Sequence, residues 1–414
     1  MIQIKRHTKV LLKYNGFIYE GALREKSAGE RSDKCRGRPK IVLGTAAISL
    51  MLAGMASGAS LTQGMSRPRS LQAAPKTGGI MEDVLIPNVA PLKWGSSGET
   101  TFAGALAAAS AVMPEKADYT RIMGDTGLAF RLRWFDPAAG KPYVGVGAVG
   151  EFPREIALAG DALGLTLKPV HAPKSDPIKR EAIDQELLAS INEFRPVICY
   201  VDPNMDCGLI YGYKNQGKSY LVRDYYSETA PEQPYDKLGF FFLFLETGKT
   251  PLARKDAVMK GLEAAVENWT RTDEKEMGGT FAYGAAGYEA WIAALSSDAA
   301  GTGNGLNNHV NWWLMDTLID ARGAATKYLR ANASLFSPAA QAHLLKAAQL
   351  YDEELGVTSA TFNKKDVFLG PWTGKSDKDW TPEVRTHEKA LLAQCKTLEA
   401  QAVAEIEKAL AAEK

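Results

Sequence analysis

The stretch that decides the fold begins with Pro196-Val-Ile-Cys-Tyr-Val201 and continues through Gly208-Leu-Ile-Tyr-Gly-Tyr213 to Ser219-Tyr-Leu-Val-Arg-Asp224. Each run is apolar and rich in β-branched or aromatic residues, which is typical of strands. The turn Lys214-Asn-Gln-Gly217 joins the second and third runs and predicts a β-hairpin. A further apolar run, Gly239-Phe-Phe-Phe-Leu-Phe-Leu245, is expected to close the sheet.

Upstream of these strands, Ser96-Ser-Gly-Glu99 has the spacing of a capping box and predicts an Ala-rich helix over 98–111. An extended run is expected from Val84. Further helices are predicted over 154–163 and 179–194. The alternation of apolar and basic residues in Ala129-Phe-Arg-Leu-Arg-Trp-Phe135 predicts a strand.

Downstream of Pro251 the hydrophobic period changes to 3.6 residues. Helices are predicted over 255–269, 282–295, 307–329, 338–355 and 382–412. The change near residue 250 therefore predicts an α+β domain over 83–250, followed by an all-helical domain over 251–414.

The N-terminal residues have the pattern of a targeting segment. Residues 1–40 carry eleven Lys or Arg against four Asp or Glu, and residues 41–59 carry no charge and end in small residues. A basic region, an apolar region and small residues predict a signal peptide over 1–59, followed by a Ser-, Gly- and Pro-rich linker over 60–82. The alternative is an uncleaved membrane anchor over 41–61. Either predicts an exported protein, periplasmic or extracellular.

Charge and residue usage limit the classes of partner. The first forty residues have a net charge of +7 and the whole chain +1, so the remainder carries −6. Such an acidic body argues against nucleic-acid binding. Five scattered His and no zinc-type Cys spacing predict no metal site, and we expect no cofactor. Cys199 and Cys207 flank a turn, which leaves a disulfide and two free thiols equally open. Oligomeric state is not encoded in these patterns.

The order of elements is that of papain-like folds, in which a nucleophile opens a helix and a His lies on a following strand. Residues 97–250 resemble the butirosin-biosynthesis protein H N-terminal family and, more remotely, the double-glycine leader peptidases. The resemblance is carried by Thr100-Thr-Phe-Ala-Gly-Ala-Leu106, by Tyr119-Thr-Arg-Ile-Met-Gly-Asp-Thr-Gly-Leu-Ala-Phe130 and by the hairpin ending at Asp224. The helical tail, with Tyr283-Gly-Ala-Ala-Gly-Tyr-Glu-Ala-Trp291, is similar to the helical part that often follows.

The resemblance also marks what has been replaced. The family's Cys position is Thr101 here, or Thr100 if the register slips, and its His position falls in Asp206-Cys207-Gly208. Asp224 alone matches the third, orienting residue. A Thr hydroxyl is a weak nucleophile without a base beside it, and an Asp with an ordinary pKa of ~3.9 is a poor base at neutral pH.

Other residues are candidates for ligand binding. Arg131 and Arg133, beside Trp134, would present two guanidiniums to a carboxylate or phosphate, or else lie solvated on an edge strand. On the predicted helix over 307–329, Asn308 and Trp312 would line a cleft, or else pack in a helix contact. The letters Gly145-Val-Gly-Ala-Val-Gly150 match a dinucleotide fingerprint, but no βαβ unit surrounds them, which predicts a loop.

These observations predict an exported, catalytically degenerate papain-like protein that binds a peptide-like or amine ligand in the interdomain cleft. Two alternatives stay open. One is a hydrolase or acyltransferase that uses Thr101 with Asp224 and a base from the helical half, His309. The other is a cell-envelope scaffold whose cleft is filled by its own side chains.

Overall fold

The computed structural model describes residues 9–14, 17–22, 83–137, 143, 153–201, 206–226, 232–234, 238–271, 274–276, 279–301, 305–362 and 377–414. The chain divides into two compact units, Met1–Lys40 and Ile41–Lys414. In the first, β1 (Lys9–Tyr14) and β2 (Phe17–Ala22) pair as an antiparallel hairpin. The predicted signal-peptide core, the linker over 60–82 and the glycine motif over 145–150 lie outside the described residues.

A seven-stranded antiparallel sheet forms the centre of the second unit. Its order is β5-β10-β6-β7-β8-β9, and β3 pairs with β7 beside the end of β6. The strands are β3 (Val84–Leu85), β5 (Thr166–His171), β6 (Val197–Val201), β7 (Asp206–Lys214), β8 (Ser219–Arg223), β9 (Glu232–Pro234) and β10 (Leu238–Glu246). The predicted hairpin is confirmed, because β7 and β8 are joined by a 3-10 turn over Asn215–Gly217.

The helices described in this half of the chain are α1 (Thr101–Ser110), α2 (Tyr119–Asp125), α3 (Pro153–Leu163) and α4 (Pro177–Asn192). The helices α1, α3 and α4 pack against the sheet, and α2 packs against α1 and α3. Nine of the ten residues of α1 are buried. Such a helix lies inside the molecule because its sequence is apolar or small on every face. The predicted strand over 129–135 is wrong in its first half, which is a 3-10 helix (Leu128–Phe130) followed by β4 (Arg133–Pro137).

The C-terminal half is mainly helical, with α5 (Arg254–Thr270), α6 (Gly284–Ser296), α7 (Asn308–Asn332), α8 (Pro338–Phe362) and α9 (Pro382–Ala412). The prediction that this half is entirely helical is wrong. Between α5 and α6, β11 (Glu274–Glu276) and β12 (Gly279–Tyr283) form a three-stranded antiparallel sheet with β4 of the first half. The β-branched Thr280 and the aromatic Phe281 and Tyr283 favour a strand at this position.

The largest hydrophobic core extends across residue 250. It joins Phe102 of α1 and Phe242 of β10 to Tyr328, Tyr351 and Ile406 of the C-terminal helices. The secondary structure changes near residue 250 as the sequence indicated, while the division into two separate domains stays a prediction. Among the residues described, no helix combines the length and the apolar character needed to cross a bilayer.

The cysteines on the central sheet do not form a disulfide. Cys199 lies opposite Gly208 in the β6–β7 register, so Cys207, one residue earlier, projects from the other face of the sheet. Cys199, Cys207 and Cys395 are buried thiols. The disulfide alternative is therefore excluded by register, because a bridge requires both side chains on the same face.

Candidate functional site

Thr101, the residue in the nucleophile position, is the first residue of α1 and faces the start of β7. Its side chain is buried, and Oγ1 accepts a hydrogen bond of 3.1 Å from the backbone N–H of Cys207. The hydroxyl thus ties the mouth of the central helix to the sheet. The local geometry is that of a helix end opposed by a strand, and the hydroxyl acts as a hydrogen-bond acceptor between them.

Asp206 and Asp224 lie at the same end of the β7–β8 pair. Leu209 is opposite Arg223, so one step further outward places Asp224 opposite Gly208 and diagonal to Asp206. Both carboxylates are buried and both bind Tyr226: Asp206 Oδ2 accepts from the Tyr226 hydroxyl at 2.5 Å, and Asp224 Oδ1 accepts from its backbone N–H at 2.8 Å. The position that a His would occupy is therefore an acceptor already bound to a phenol.

The backbone N–H groups just before α1 are hydrogen-bonded to side chains that are distant in the sequence. The Thr100 N–H donates to the Tyr119 hydroxyl at 3.1 Å, and that hydroxyl donates to the carboxylate of Asp320 on α7. The Glu99 backbone N–H also donates to Asp320. Burial raises the pKa of Asp320, and burial together with Asp320 raises the pKa of Tyr119. A carboxylate from the helical half thus sits where a helix end would otherwise stabilise an anion.

The predicted capping box at this helix is wrong. The N-cap residue is Thr100, and it makes no side-chain capping bond. The Glu99 carboxylate instead accepts from the Gly95 N–H at 3.0 Å, and Ser97 Oγ accepts from the Lys93 N–H at 3.1 Å. These side chains stabilise the turn before the helix, and the amides of Glu99 and Thr100 have their partners in Asp320 and Tyr119.

An aromatic group covers the first turn of α1. The Trp94 ring lies 4.6 Å from Tyr225 and 5.8 Å from Tyr226 between centroids. The Tyr225 hydroxyl donates to the Ser97 carbonyl at 3.2 Å and passes so near Gly104 that a Cβ there would lie 1.8 Å away. Tyr225 therefore fills the space above the helix start, and only glycine at position 104 allows it to do so.

Acidic side chains surround these aromatic residues. Burial raises the pKa of Tyr225 well above its usual range, and neighbouring acidic groups raise it further, namely Asp206, Cys207, Glu99 and Asp320. The outer member of the group, Tyr226, is 50% exposed, and Trp94 is half-buried. The mouth thus presents aromatic faces to solvent in front of buried carboxylates, and we call Trp94, Asp206, Tyr225 and Tyr226 the aromatic mouth.

His309 is not brought to Thr101. It lies in the first turn of α7, eleven residues before Asp320, which corresponds to about 16 Å along the helix axis. Its ring packs 6.0 Å from Trp313, and burial lowers its pKa. Since Asp320 is the residue of α7 that reaches the mouth of α1, no imidazole from this helix serves Thr101.

The residues predicted to bind a ligand are buried. Arg131 pairs with Glu155 at 3.3 Å, and the Arg133 guanidinium lies 5.1 Å from the centre of the Phe281 ring. The idea of solvated charges on an edge strand is wrong, because both arginines are enclosed where β4 meets α3 and β12.

Trp134, Asn308 and Trp312 are also enclosed. Trp134 stacks on Trp291 at 6.3 Å, and Trp312 belongs to the same hydrophobic core. The Asn308 backbone N–H donates to Asp377 at 2.7 Å. These residues pack within the helical half.

A cavity lies where the two halves meet at the N-cap of α1. Its volume is about 10 Å³, which is room for a single water. The cavity is lined by Thr100, Leu128, residues 131–133, Leu314, Thr317, Leu318 and Ala321. Within the described part of the chain, no group of acidic, His or Cys side chains is arranged to hold a metal ion.

Sequence reasoning missed most of the aromatic mouth. Tyr225 and Tyr226 directly follow Asp224, so their position was a usable signal. Asp320 gave none, because it is 201 residues from its partner Tyr119 and only the packing of α7 brings them together. A comparison with models of known protein families finds no match to this chain, and a comparison with curated proteins finds none either.

Proposed function

We propose that this chain is an exported papain-like protein that has lost catalysis and binds a peptide-like or amine ligand at the aromatic mouth. The observation that carries the proposal is the state of Thr101: its hydroxyl is buried and accepts a hydrogen bond from the Cys207 N–H. The three positions that would form a catalytic triad are thereby used for packing and hydrogen bonding.

Three features argue against nucleophilic catalysis. Among the described residues, the Thr101 hydroxyl is bound to the Cys207 N–H, and Asp206, which the proposal places in the His position, is bound to Tyr226. The N–H groups of Glu99 and Thr100 are occupied, so they do not form an oxyanion site. Finally, the Asp320 carboxylate at the helix mouth would repel a developing negative charge.

The same features favour a cation. Tyr226 and Trp94 present aromatic faces, and a cation over such a face gains about 0.5–2 kcal/mol. The carboxylates of Asp206 and Asp224 bind the hydroxyl and the backbone N–H of Tyr226, and so bring negative charge close to this residue. A primary amine, or the terminal amino group of a peptide, matches this combination. Export, inferred from residues 1–59, argues against acyl transfer from a carrier-protein thioester, because such donors are cytoplasmic.

One observation favours the scaffold as a second candidate function. The space between the two halves at the N-cap of α1 holds about 10 Å³, too little for a peptide or an acyl chain. A filled junction is what a scaffold requires. The aromatic mouth lies outside this junction and is partly exposed at Tyr226.

The test combines calorimetric titration and turnover. Propylamine and the dipeptide lysyl-glycine are titrated into the wild-type protein, Asp206→Asn and Asp352→Asn. Asp352 is a matched control because it is an exposed acid of α8 paired with Arg330. We expect binding to the wild type and the control and a loss of about tenfold in Asp206→Asn, equal to about 1.4 kcal/mol.

Hydrolysis of model esters and thioesters is measured in parallel for wild type, Thr101→Ala and His309→Ala. Turnover that both substitutions abolish would support the hydrolase alternative and overturn the proposal. Equal amine affinity in all three titrated proteins would remove the aromatic mouth as the binding site. If neither amine binding nor turnover is observed, the scaffold function is supported instead.

A further inference from the structure

A buried ionic cluster connects four helices of the C-terminal half. Arg322 of α7 is 1% exposed, and its Nη2 lies 2.6 and 2.7 Å from the two carboxylate oxygens of Glu399 on α9. The Tyr288 hydroxyl of α6 lies 2.9 Å from Glu354 on α8 and 2.8 Å from Glu399. We call these four residues the Arg322 cluster.

The two carboxyl groups of the cluster are not equivalent. Glu399 receives two short bonds from the guanidinium, whereas Glu354 is 3.7 Å from Arg322 Nε. The second oxygen of Glu354 has no hydrogen-bond partner among the described residues. A buried carboxylate with so little compensation is costly, and one guanidinium balances only one negative charge. The geometry therefore assigns a proton to Glu354.

The groups facing Glu354 agree with this assignment. Burial raises the pKa of Glu354 to about 8; the charge of Glu399 raises it as well, while Arg322 lowers it. The remaining titratable neighbours, Tyr288, Tyr351 and Cys395, have pKa values raised by burial. They stay neutral at physiological pH, so Arg322 is the cation that balances the cluster.

Arg322 also links the cluster to the first half of the chain. Its Nη1 donates to the carbonyl of Ala129 at 3.0 Å and lies 3.4 Å from that of Arg131. Two residues earlier on the same helix, Asp320 binds Tyr119 and the amide of Glu99 at the mouth of α1. A shift of α7 that follows a change in the Arg322 cluster would therefore also move Asp320 relative to the start of α1, next to the aromatic mouth.

We propose that the Arg322 cluster is a proton switch: Glu354 holds a proton in the packed state, and its release to water leaves two carboxylates on one guanidinium. This loosens α8 and α9 from α7 and weakens the hold of Arg322 on the carbonyls of residues 129 and 131. The sign follows from linkage. An acid whose pKa is higher in the packed state stabilises that state at low pH, and the advantage falls as pH rises from the ordinary Glu value to the raised one.

The expected pH dependence of the opening equilibrium is that of releasing one proton. Opening of this contact should become about tenfold more favourable for each pH unit between about 5 and 8, and level off above that. The readout is amide hydrogen exchange at 128–133 and along α8 and α9, expressed as protection relative to intrinsic rates. Infrared spectroscopy follows the carbonyl stretch of the protonated carboxyl in the same samples.

Two substitutions separate the switch from general instability. Glu354→Gln should lose a titrating carboxyl band and reduce the pH dependence of protection by one proton. Glu399→Gln should move the Glu354 titration to lower pH, because Arg322 then serves a single carboxylate. Glu388→Gln, which alters another buried acid of α9, should keep the Glu354 titration and serves as the control.

Either of two results would overturn the proposal. One is a wild-type protein without a carboxyl band that depends on Glu354. The other is the same pH dependence of protection in wild type and Glu354→Gln. If Glu354→Gln does not fold, an unchanged titration in Glu399→Gln would have the same consequence.

Discussion

Replacing Thr101 by Val tests whether its hydroxyl serves structure or chemistry. Valine has nearly the same shape, so the substitution removes the acceptor of the Cys207 N–H without opening a cavity. A buried donor deprived of its acceptor costs about 1–3 kcal/mol. The added methyl group returns a part of this, of order 0.8 kcal/mol. We expect a net loss of about 0.2–2.2 kcal/mol in the free energy of unfolding.

The assay is urea unfolding followed by circular dichroism, with Thr101→Ser as the matched control. Serine keeps the acceptor and loses one methyl group, so its cost should be about 1 kcal/mol or less. A Thr101→Val protein as stable as wild type would refute the structural role of the hydroxyl. Full stability combined with loss of a measurable turnover would indicate a nucleophile instead.

Three further expectations concern packing, ionisation and thiols. Gly104→Ala should destabilise the protein by about 1–3 kcal/mol in urea unfolding, because the new Cβ would lie 1.8 Å from the Tyr225 hydroxyl and 2.6 Å from a backbone carbonyl, and adding Tyr225→Phe should recover only a part of this loss. Burial raises the pKa of Glu388 well above its usual range, so the folded state holds this proton and loses stability as pH rises above about 5; Glu388→Gln should flatten that decline in thermal unfolding scans, and an unchanged slope would count against it. Cys199 and Cys207 should stay reduced after mild oxidation, as counted by mass spectrometry after alkylation in denaturant, and a recovered bridge between them would contradict the β6–β7 register.

The secondary structure was largely readable from the sequence. The hairpin over β7 and β8 follows from two apolar runs around an Asn- and Gly-containing turn, and Pro382 marks the start of α9. β5 was not predicted, because Lys168 and Pro169 interrupt its pattern and it forms by pairing with β10. The sequence pattern predicted elements that form between neighbouring residues, such as the β7–β8 hairpin, but not β5, which depends on pairing with a distant strand.

The site was only partly readable. The order of elements singled out Thr101, Asp206 and Asp224; the Thr101 hydroxyl binds the Cys207 N–H at the start of β7, and Asp206 and Asp224 lie at the same end of the β7–β8 pair, while their role as a site stays a prediction. Their present partners were not predictable, because Tyr226 folds back onto Asp206 and Asp320 arrives from α7. The prediction that Arg131 and Arg133 bind a ligand or lie solvated on an edge strand did not anticipate their burial, because α3 and β12, which are distant in the sequence, pack around them.

The pKa of a thiol introduced at the start of α1 tests most directly whether residues 101, 206 and 224 have a papain-like arrangement. Thr101→Cys combined with Asp206→His introduces the two reactive groups that the proposed papain-like arrangement requires, and in that arrangement Asp224 would orient the imidazole. Thr100→Cys combined with Asp206→His is the control for register. The ultraviolet absorbance of the thiolate reports the pKa of the introduced thiol, and the buried Cys199, Cys207 and Cys395 provide a common background.

We expect the thiol of the first double variant to ionise about one pH unit or more below the usual value of ~8.5, because a neighbouring imidazolium stabilises a thiolate. Thr101→Cys alone should stay at or above that value, since Asp206 and Asp320 keep the surroundings negative. Equal thiol pKa values in the single variant, the double variant and the register control would contradict a papain-like arrangement of these positions.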